Sequence, residues 1–102
     1  MKVVYLAGPY RAKTIHKVVE NIRTAEKYAI ELWKKGYAVI CPHKNSALLD
    51  GVVPDDYFLG GDHEILKRCD IVYMLPGWEK SAGASAEHQL AKNLGIEIIY
   101  IR

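Results

Sequence analysis

The feature that most constrains the fold is an alternation of short apolar, β-prone segments with segments of helical periodicity. The continuous apolar run Val3–Ala7 is typical of a strand that is covered on both faces. The segment from Thr14 to Lys35 repeats its apolar residues at helical spacing and meets Gly36, a residue type that commonly ends helices. The elements predicted from these patterns are a strand at 3–7, a helix at 14–35, a strand at 37–41, a helical turn near 54–59, a break at Gly60–Gly61, a helix at 62–69, a strand at 71–75, a helix from Ser81 to 94 and a strand at 96–101.

This alternation predicts an α/β fold with a parallel sheet and helices on both of its faces. We expect a flavodoxin-like or Rossmann-like three-layer sandwich with a four- to five-stranded parallel sheet, formed by one domain over residues 1–102. In such sheets the ligand binds beyond the carboxyl ends of the strands, where the strand order reverses. The loops expected to meet there are 8–11 and 76–81, and His43 follows the second strand at the same edge.

The segment from Ser81 to Leu94 carries the strongest functional signal. Ser81 opens a helix after a loop containing Gly and Pro, and the backbone N–H groups at such a helix start favour an anion such as phosphate. Glu87 falls on the same side of this helix as Leu90 and Leu94, and Gly83 allows close approach, so we expect the carboxylate to face inward. The ordinary alternative is a surface glutamate, because buried unpaired carboxylates are rare.

Other candidate residues are expected at the same edge of the sheet. Asp62 could supply a second carboxylate, although an Asp before a helix is also a favoured N-cap. Arg11, beside the Gly8–Pro9 turn, is either a surface residue or an anion clamp. Tyr10 and Trp78 flank the expected pocket and could stack on a planar ring, with Trp78 equally suited to a subunit interface. The irregular segment 43–61 is the expected determinant of base preference.

Two carboxylates beside an anion site suit chemistry with an oxocarbenium-like transition state. One carboxylate attacks or stabilises the sugar carbon, and the other handles a proton. A glycosyl bond to a nucleobase fits this arrangement, with a phosphate at the helix start, the sugar over Glu87 and the base between aromatic walls.

Composition and motifs disfavour several other functions. The net charge of +2 is too close to neutral to indicate a nucleic-acid polymer or a membrane surface as partner. The chain has neither a GxGxxG nor a GxxxxGK motif and no metal-ligand spacing of His and Cys, so no cofactor and no metal are predicted. The distant Cys41 and Cys69 favour free thiols in a reducing compartment, and the expected location is cytoplasmic. A core this small makes a homodimer or a higher homo-oligomer a reasonable expectation.

The chain resembles the nucleoside 2-deoxyribosyltransferase superfamily, which includes 2′-deoxynucleoside 5′-monophosphate N-glycosidases. It is also similar to small uncharacterised relatives that phages often carry. The resemblance covers almost the whole chain and rests on four motifs, of which the one that ends at Glu87 is the most specific. These motifs are Tyr5-Leu-Ala-Gly8 with Arg11, Pro42-His43, Asp62-x-x-x-Leu66 before Cys69-Asp70, and Ser81-x-Gly83-x-x-x-Glu87.

The resemblance implies roles for individual residues. It implies that Glu87 is the nucleophile that takes the sugar C1′, that Asp62 assists with the proton and the substrate, and that Ser81 binds a 5′-phosphate. It also implies that Tyr5, Arg11 and His43 line the pocket. The chain has Pro9 where the monophosphate hydrolases have a serine, so one hydroxyl for a phosphate is missing.

Taken together, the sequence predicts an N-glycosidase that cleaves the base–sugar bond of a (deoxy)nucleoside or its 5′-monophosphate through a Glu nucleophile. The alternatives are a deoxyribosyl transferase between bases, a non-catalytic nucleotide-binding or sensing module, and a small assembly protein. The expected partner is a small nucleoside or nucleotide. The candidate catalytic residues are Glu87, Asp62 and Tyr5, and the candidate substrate-binding residues are Gly8, Pro9, Tyr10, Arg11, His43, Trp78, Ser81 and Gly83.

Overall fold

The computed structural model describes residues 1–101, so Arg102, the last residue of the expected domain, lies outside the described part. The helices and strands are β1 Val3–Ala7, α1 Ile15–Lys34, β2 Ala38–Ile40, α2 Pro42–Asn45, α3 Asp55–Leu66, β3 Ile71–Met74, a 3₁₀ turn Trp78–Lys80, α4 Ala82–Leu94 and β4 Glu97–Tyr100. The strands pair in parallel in the order β2-β1-β3-β4. The strand order therefore reverses between β1 and β3, and the predicted flavodoxin-like architecture is confirmed.

The two faces of the sheet are covered by different helices. Alternate residues of β1 point to opposite faces, as the pleat requires. Val4 and Leu6 pack in the cluster that contains Ala25, Ala29 and Leu32 of α1. The intervening β1 residues, Tyr5 and Ala7, pack with Leu66 of α3 and with Ala84 and Ala91 of α4. The position of Tyr5 in the strand thus directs its side chain toward the layer that carries Glu87.

The helix α1 has the ends that its sequence predicts. The Thr14 side chain accepts a hydrogen bond from the Lys17 N–H at 3.1 Å, which satisfies one of the unpaired donors at the helix start. At the other end Gly36 has a φ of 92°, a left-handed conformation that glycine adopts without strain. None of the helices within residues 1–101 is long and apolar enough to cross a membrane.

The predicted break at Gly60–Gly61 is wrong, because α3 runs without interruption from Asp55 to Leu66. Glycine costs only about 1 kcal/mol relative to alanine in a helix interior. Burial of Leu66 and the continuous backbone hydrogen bonds outweigh that cost. The merged helix places Asp62 two turns beyond the helix start, so its alternative role as an N-cap is wrong as well.

A short helix, α2, occupies the position at which only an irregular segment was expected. β2 ends at Ile40, and Pro42 begins this helix after the N-cap Cys41, at a position where its fixed φ and its missing N–H carry no penalty. The turn brings His43 into the interior, where 4% of its surface remains exposed. The short helix α2 therefore lies at the same edge of the sheet as the loop that follows β1.

Candidate active site

A cavity of about 450 Å³ lies at the carboxyl ends of β1, β2 and β3. Pockets of about 300–1,000 Å³ are typical of small-molecule sites. Its walls come from the loop after β1, from α2, from α3 and from the first turns of α4. The candidate residues that line it are Gly8, Pro9, Tyr10, Arg11, His43, Asp62, Ser81, Gly83 and Glu87.

The loop after β1 requires glycine at position 8. A Cβ placed on Gly8 would lie 2.7 Å from Leu75 Cδ1 and 2.8 Å from Leu75 Cβ, closer than any side chain tolerates. The backbone of β1 therefore approaches Leu75, directly after β3, as closely as possible. The loop after β1 and the loop after β3 are therefore in contact at the point where the strand order reverses.

Glu87 lies at the inner wall of the cavity and is 9% exposed. The inward face of α4 consists of Ala84, Glu87 and Ala91, whereas Leu94, which the sequence placed on this face, is 48% exposed. The phenol of Tyr5 donates a hydrogen bond to Oε2 of Glu87. Tyr5 is completely buried and supports Glu87 from beneath the cavity wall.

Burial changes the acidity of both partners. Loss of water raises the pKa of Glu87 to about 7, the hydrogen bond from Tyr5 opposes this rise, and the nearby charge of Asp62 adds to it. Burial also raises the pKa of Tyr5, and the Glu87 carboxylate beside it raises that pKa further. Tyr5 therefore remains a neutral donor while Glu87 changes its charge near neutral pH.

Asp62 supplies a second carboxyl group to the same cavity. It lies inside α3 and is half-buried. Burial raises the pKa of Asp62, and the neighbouring His63 partly offsets that rise. The charge of Asp62 raises the pKa of Glu87, so the two carboxyl groups interact at the cavity wall.

Ser81 is the N-cap of α4, and its Oγ accepts a hydrogen bond from the Ala84 N–H at 3.2 Å. The backbone N–H groups of Ala82 and Gly83, which also line the cavity, have no hydrogen-bond partner within residues 1–101. These groups are the unpaired donors that every helix start leaves. The first turn of α4 thus presents donors and the positive end of the helix dipole to the cavity.

His43 holds the loop after β1 against α2. Its Nε2–H donates to the carbonyl oxygen of Pro9 at 2.9 Å, which determines the tautomer because a carbonyl only accepts. Burial lowers the pKa of His43, and the Pro9 carbonyl opposes that change. A neutral imidazole therefore positions Pro9 and the residues that follow it.

Arg11 lines the cavity but forms ion pairs with two carboxylates. Its Nη2 lies 3.0 Å from Oδ1 of Asp55, and its Nη1 lies 3.9 Å from Oδ2 of Asp50. The hydroxyl of Tyr10 donates to Oδ1 of Asp50 at 2.9 Å and accepts from the Leu48 N–H at 3.2 Å. Residues 48–55 are thereby connected to the loop after β1.

Two candidate residues lie outside the set that lines the cavity. The resemblance implied that Tyr5 lines the pocket, but Tyr5 lies beneath the cavity wall. The second is Trp78. Its indole packs against the His88 ring, with centroids 4.2 Å apart, and lies near Tyr100 of β4 at 6.1 Å. Trp78 begins the 3₁₀ turn before α4, and its half-buried side chain packs against the hydrophobic cluster on the α4 side of the sheet. Stacking of Trp78 on a substrate ring has no support in this geometry.

Sequence reasoning missed several residues that line the cavity. The irregularity of segment 43–61 indicated a functional loop but did not indicate which of its side chains point inward. If the helix containing Asp62 had been predicted to begin at Asp55, helical spacing would have placed Leu59 (i−3) and Phe58 (i−4) on the same face as Asp62. The missed residues include Ser46, Asp50, Phe58, Leu59 and Lys80. Within residues 1–101, the structure contains no cluster of three or more His, Cys, Asp or Glu side chains suited to a metal ion.

A family model described as a domain of unknown function (DUF4406) matches residues 2–100 of the chain. The chain belongs to this family. A comparison with curated proteins found no match. This family description names no activity.

Solved structures share the fold. A 2-deoxyribosyltransferase from Bacillus psychrosaccharolyticus superposes with a TM-score of 0.73 at 19% identity, covering 96% of this chain and 70% of that one. The 2-deoxyribosyltransferase of Leishmania mexicana gives 0.72 at 16% identity, covering 99% of this chain and 64% of that one. A CMP N-glycosidase from Clostridium botulinum gives 0.61 at 23% identity, covering 97% and 67%.

These superpositions confirm, at the level of the fold, the resemblance to the nucleoside 2-deoxyribosyltransferase superfamily. The chain spans about two thirds of the length of these neighbours, from 64% to 70%. At identities of 16–23% this similarity concerns the fold alone.

Proposed function

We propose that this family member is an N-glycosidase that cleaves the base–sugar bond of a (deoxy)nucleoside or its 5′-monophosphate, with Glu87 as nucleophile. The observation that carries the proposal is the buried Glu87 carboxyl, held by the Tyr5 phenol at the wall of a cavity that Asp62 also lines. A buried carboxyl with a raised pKa and a second carboxyl beside it is an arrangement typical of acid–base and nucleophilic sites.

The chemistry proceeds in two steps. The ionised Glu87 forms a bond to the sugar C1′ while the bond from C1′ to the base nitrogen breaks, and the electron pair leaves with the base. Asp62, when protonated, gives its proton to the departing base. Water then attacks C1′, its proton passes to Asp62, and Glu87 leaves as a carboxylate.

The neighbours support the same class of reaction, since two are named 2-deoxyribosyltransferases and one a CMP N-glycosidase. Transfer differs from hydrolysis only in the acceptor, because a second base takes the place of water at C1′. Deoxyribosyl transfer between bases is therefore the second candidate function. Adding a different free base to the assay distinguishes the two, because transfer yields a new nucleoside.

The test is release of free base, followed by chromatography, from a panel of nucleosides and their 5′-monophosphates. Glu87→Gln keeps the shape of the side chain but removes the nucleophile, so release should be abolished. Asp62→Asn should slow release by about 10²–10⁴-fold, the usual effect of losing an acid–base group. Circular dichroism and thermal melting of each variant show that the fold is retained.

Two results would contradict this proposal. Full activity of Glu87→Gln would exclude Glu87 as nucleophile. Ligand-induced thermal stabilisation that survives Glu87→Gln, with no base released by the unmodified protein, would instead favour a non-catalytic nucleotide-binding module.

A further inference from the structure

We infer that the cavity selects an uncharged (deoxy)nucleoside over the corresponding 5′-monophosphate, because Asp50 and Asp55 already neutralise the cation that would bind a phosphate. The inference rests on the proposed function and narrows its substrate class. It disfavours one of the two roles that the sequence left open for Arg11, namely that of an anion clamp.

The first observation is the position of Arg11. Both terminal nitrogens of its guanidinium face carboxylates, at 3.0 Å from Asp55 and 3.9 Å from Asp50. Asp50 is itself held at the cavity wall by the hydroxyl of Tyr10, at 2.9 Å. A phosphate that recruited Arg11 would displace it from both aspartates and would leave their charges uncompensated beside the ligand.

The second observation is the charge balance of the cavity. The charged side chains that line it are Arg11, Lys80, Asp50, Asp62 and Glu87. Lys80 is exposed and has no counter-ion within residues 1–101. With only one of Glu87 and Asp62 ionised, as the proposed reaction requires, the two cations are still offset by three carboxylates, namely that one, Asp50 and the Arg11-bound Asp55.

This balance disfavours a phosphate for electrostatic reasons. A phosphate monoester carries a charge of about −1.5 to −2 at neutral pH. The first turn of α4 contributes only about half a positive charge. The half-exposed ion pairs of Arg11 are individually weak, so the preference comes from the excess of carboxylates and not from the strength of one pair. A nucleoside with a free 5′-hydroxyl meets no such repulsion.

The experiment measures binding to the Glu87→Gln variant, in which turnover does not interfere. Dissociation constants are determined by calorimetry at low and at physiological ionic strength for 2′-deoxyadenosine, 2′-deoxycytidine, 2′-deoxyguanosine and thymidine, and for their 5′-monophosphates. We expect the preferred nucleoside to bind at least about tenfold more tightly than its monophosphate at low ionic strength, where charge repulsion is least screened. The additional changes Asp50→Asn and Asp55→Asn should shift this ratio toward the monophosphate by about tenfold.

Asp56→Asn is the matched control. Asp56 follows Asp55 in the first turn of α3, so its loss changes the net charge and the helix start in the same way. Among the described residues, 1–101, Asp56 neither lines the cavity nor takes part in an ion pair. In the double variant Glu87→Gln, Asp56→Asn, the ratio of the dissociation constants for monophosphate and nucleoside should therefore stay within about twofold of the ratio in Glu87→Gln alone. A remote charge that is screened by salt contributes little.

Three results would overturn the inference. The first is a monophosphate that binds as tightly as its nucleoside, or more tightly. The second is a selective loss of monophosphate binding in Lys80→Gln by more than about tenfold, which would indicate a built phosphate site. The third is binding of none of these compounds. If nucleosides bind preferentially but the unmodified protein releases no base, the proposed hydrolysis fails while the binding preference stands.

Discussion

The phenol of Tyr5 and the carboxyl of Glu87 share a hydrogen bond in a place from which water is largely excluded. Burial favours the neutral form of Glu87, whereas the bond from Tyr5 favours the carboxylate. The nucleophile is therefore held near the point at which it gains or loses its proton at physiological pH. Tyr5, whose own pKa is raised, keeps its proton throughout this range.

Tyr5→Phe should move the pH dependence of activity. In the unmodified protein, kcat/KM for base release should rise with pH through about 7, because only the ionised Glu87 attacks C1′. Removal of the hydroxyl takes away the influence that lowers the pKa of Glu87, so this rise should shift to higher pH. Activity should consequently fall more at pH 6 than at pH 8, as pH–rate profiles of both proteins will show.

Tyr73→Phe provides the control for this prediction. Tyr73 lies on β3 and packs against the cluster on the α1 side of the sheet, away from the cavity. Its profile should coincide with that of the unmodified protein. An unshifted profile in Tyr5→Phe would show that the phenol does not govern the ionisation of Glu87.

At the level of secondary-structure elements, the cavity depends on a close contact between the loop after β1 and Leu75, and on an α3 helix whose glycines make no such contact. The loop after β1 touches Leu75 so closely that only glycine fits at position 8. In contrast, within residues 1–101 a Cβ on Gly60 or on Gly61 of α3 would have no atom within 4 Å apart from its chain neighbours and the adjacent backbone of its own helix. Gly8 is therefore required by a close backbone contact, whereas Gly60 and Gly61 are not, although the sequence alone presents all three as breaks.

Gly60→Ala should stabilise the protein by about 0.5–1 kcal/mol, because alanine loses less backbone entropy in a helix. Gly8→Ala should destabilise it by about 1–3 kcal/mol, because the new methyl group forces β1 away from Leu75. Urea denaturation of both variants measures these free energies of unfolding. A destabilising Gly60→Ala would mean that α3 is interrupted in solution, as the sequence suggested.

At the scale of the whole molecule, the sheet has two edges and the surface exposes large apolar side chains. The edge strands are β2 and β4. Trp33 of α1 and Tyr57 of α3 are 56% and 65% exposed. Such residues are common in subunit interfaces, where aromatic side chains are enriched.

We therefore keep the sequence-based proposal that the chain forms a homodimer or a higher homo-oligomer. Sedimentation equilibrium at micromolar concentration should give a mass at least twice the 11.5 kDa of the single chain. Trp33→Glu tests whether the exposed α1 face takes part, since a charge in an apolar interface should promote dissociation. A mass of one chain at every concentration would contradict the proposal.

The fold and much of the position of the cavity could be predicted from sequence because both depend on local periodicity. The alternation of apolar runs with helical patterns allows essentially one arrangement, a parallel sheet covered on both faces, whose binding edge follows from the strand order. The position of Glu87 among inward residues of α4 follows from a spacing of 3.6 residues per turn. The same spacing placed Leu94 on the inward face, but Leu94 is 48% exposed, because spacing does not show where the sheet beneath the helix ends.

Long-range contacts decided the remaining features. The continuity of α3 through Gly60–Gly61 depends on burial of Leu66, and the pairing of Arg11 with Asp50 and Asp55 joins segments about 40 residues apart. Trp78 faces His88 because the 3₁₀ turn orients it, a geometry that composition does not specify. A sequence pattern records which residues are apolar and how they are spaced. The distribution of charge in the cavity depends on which side chains meet after the chain has folded.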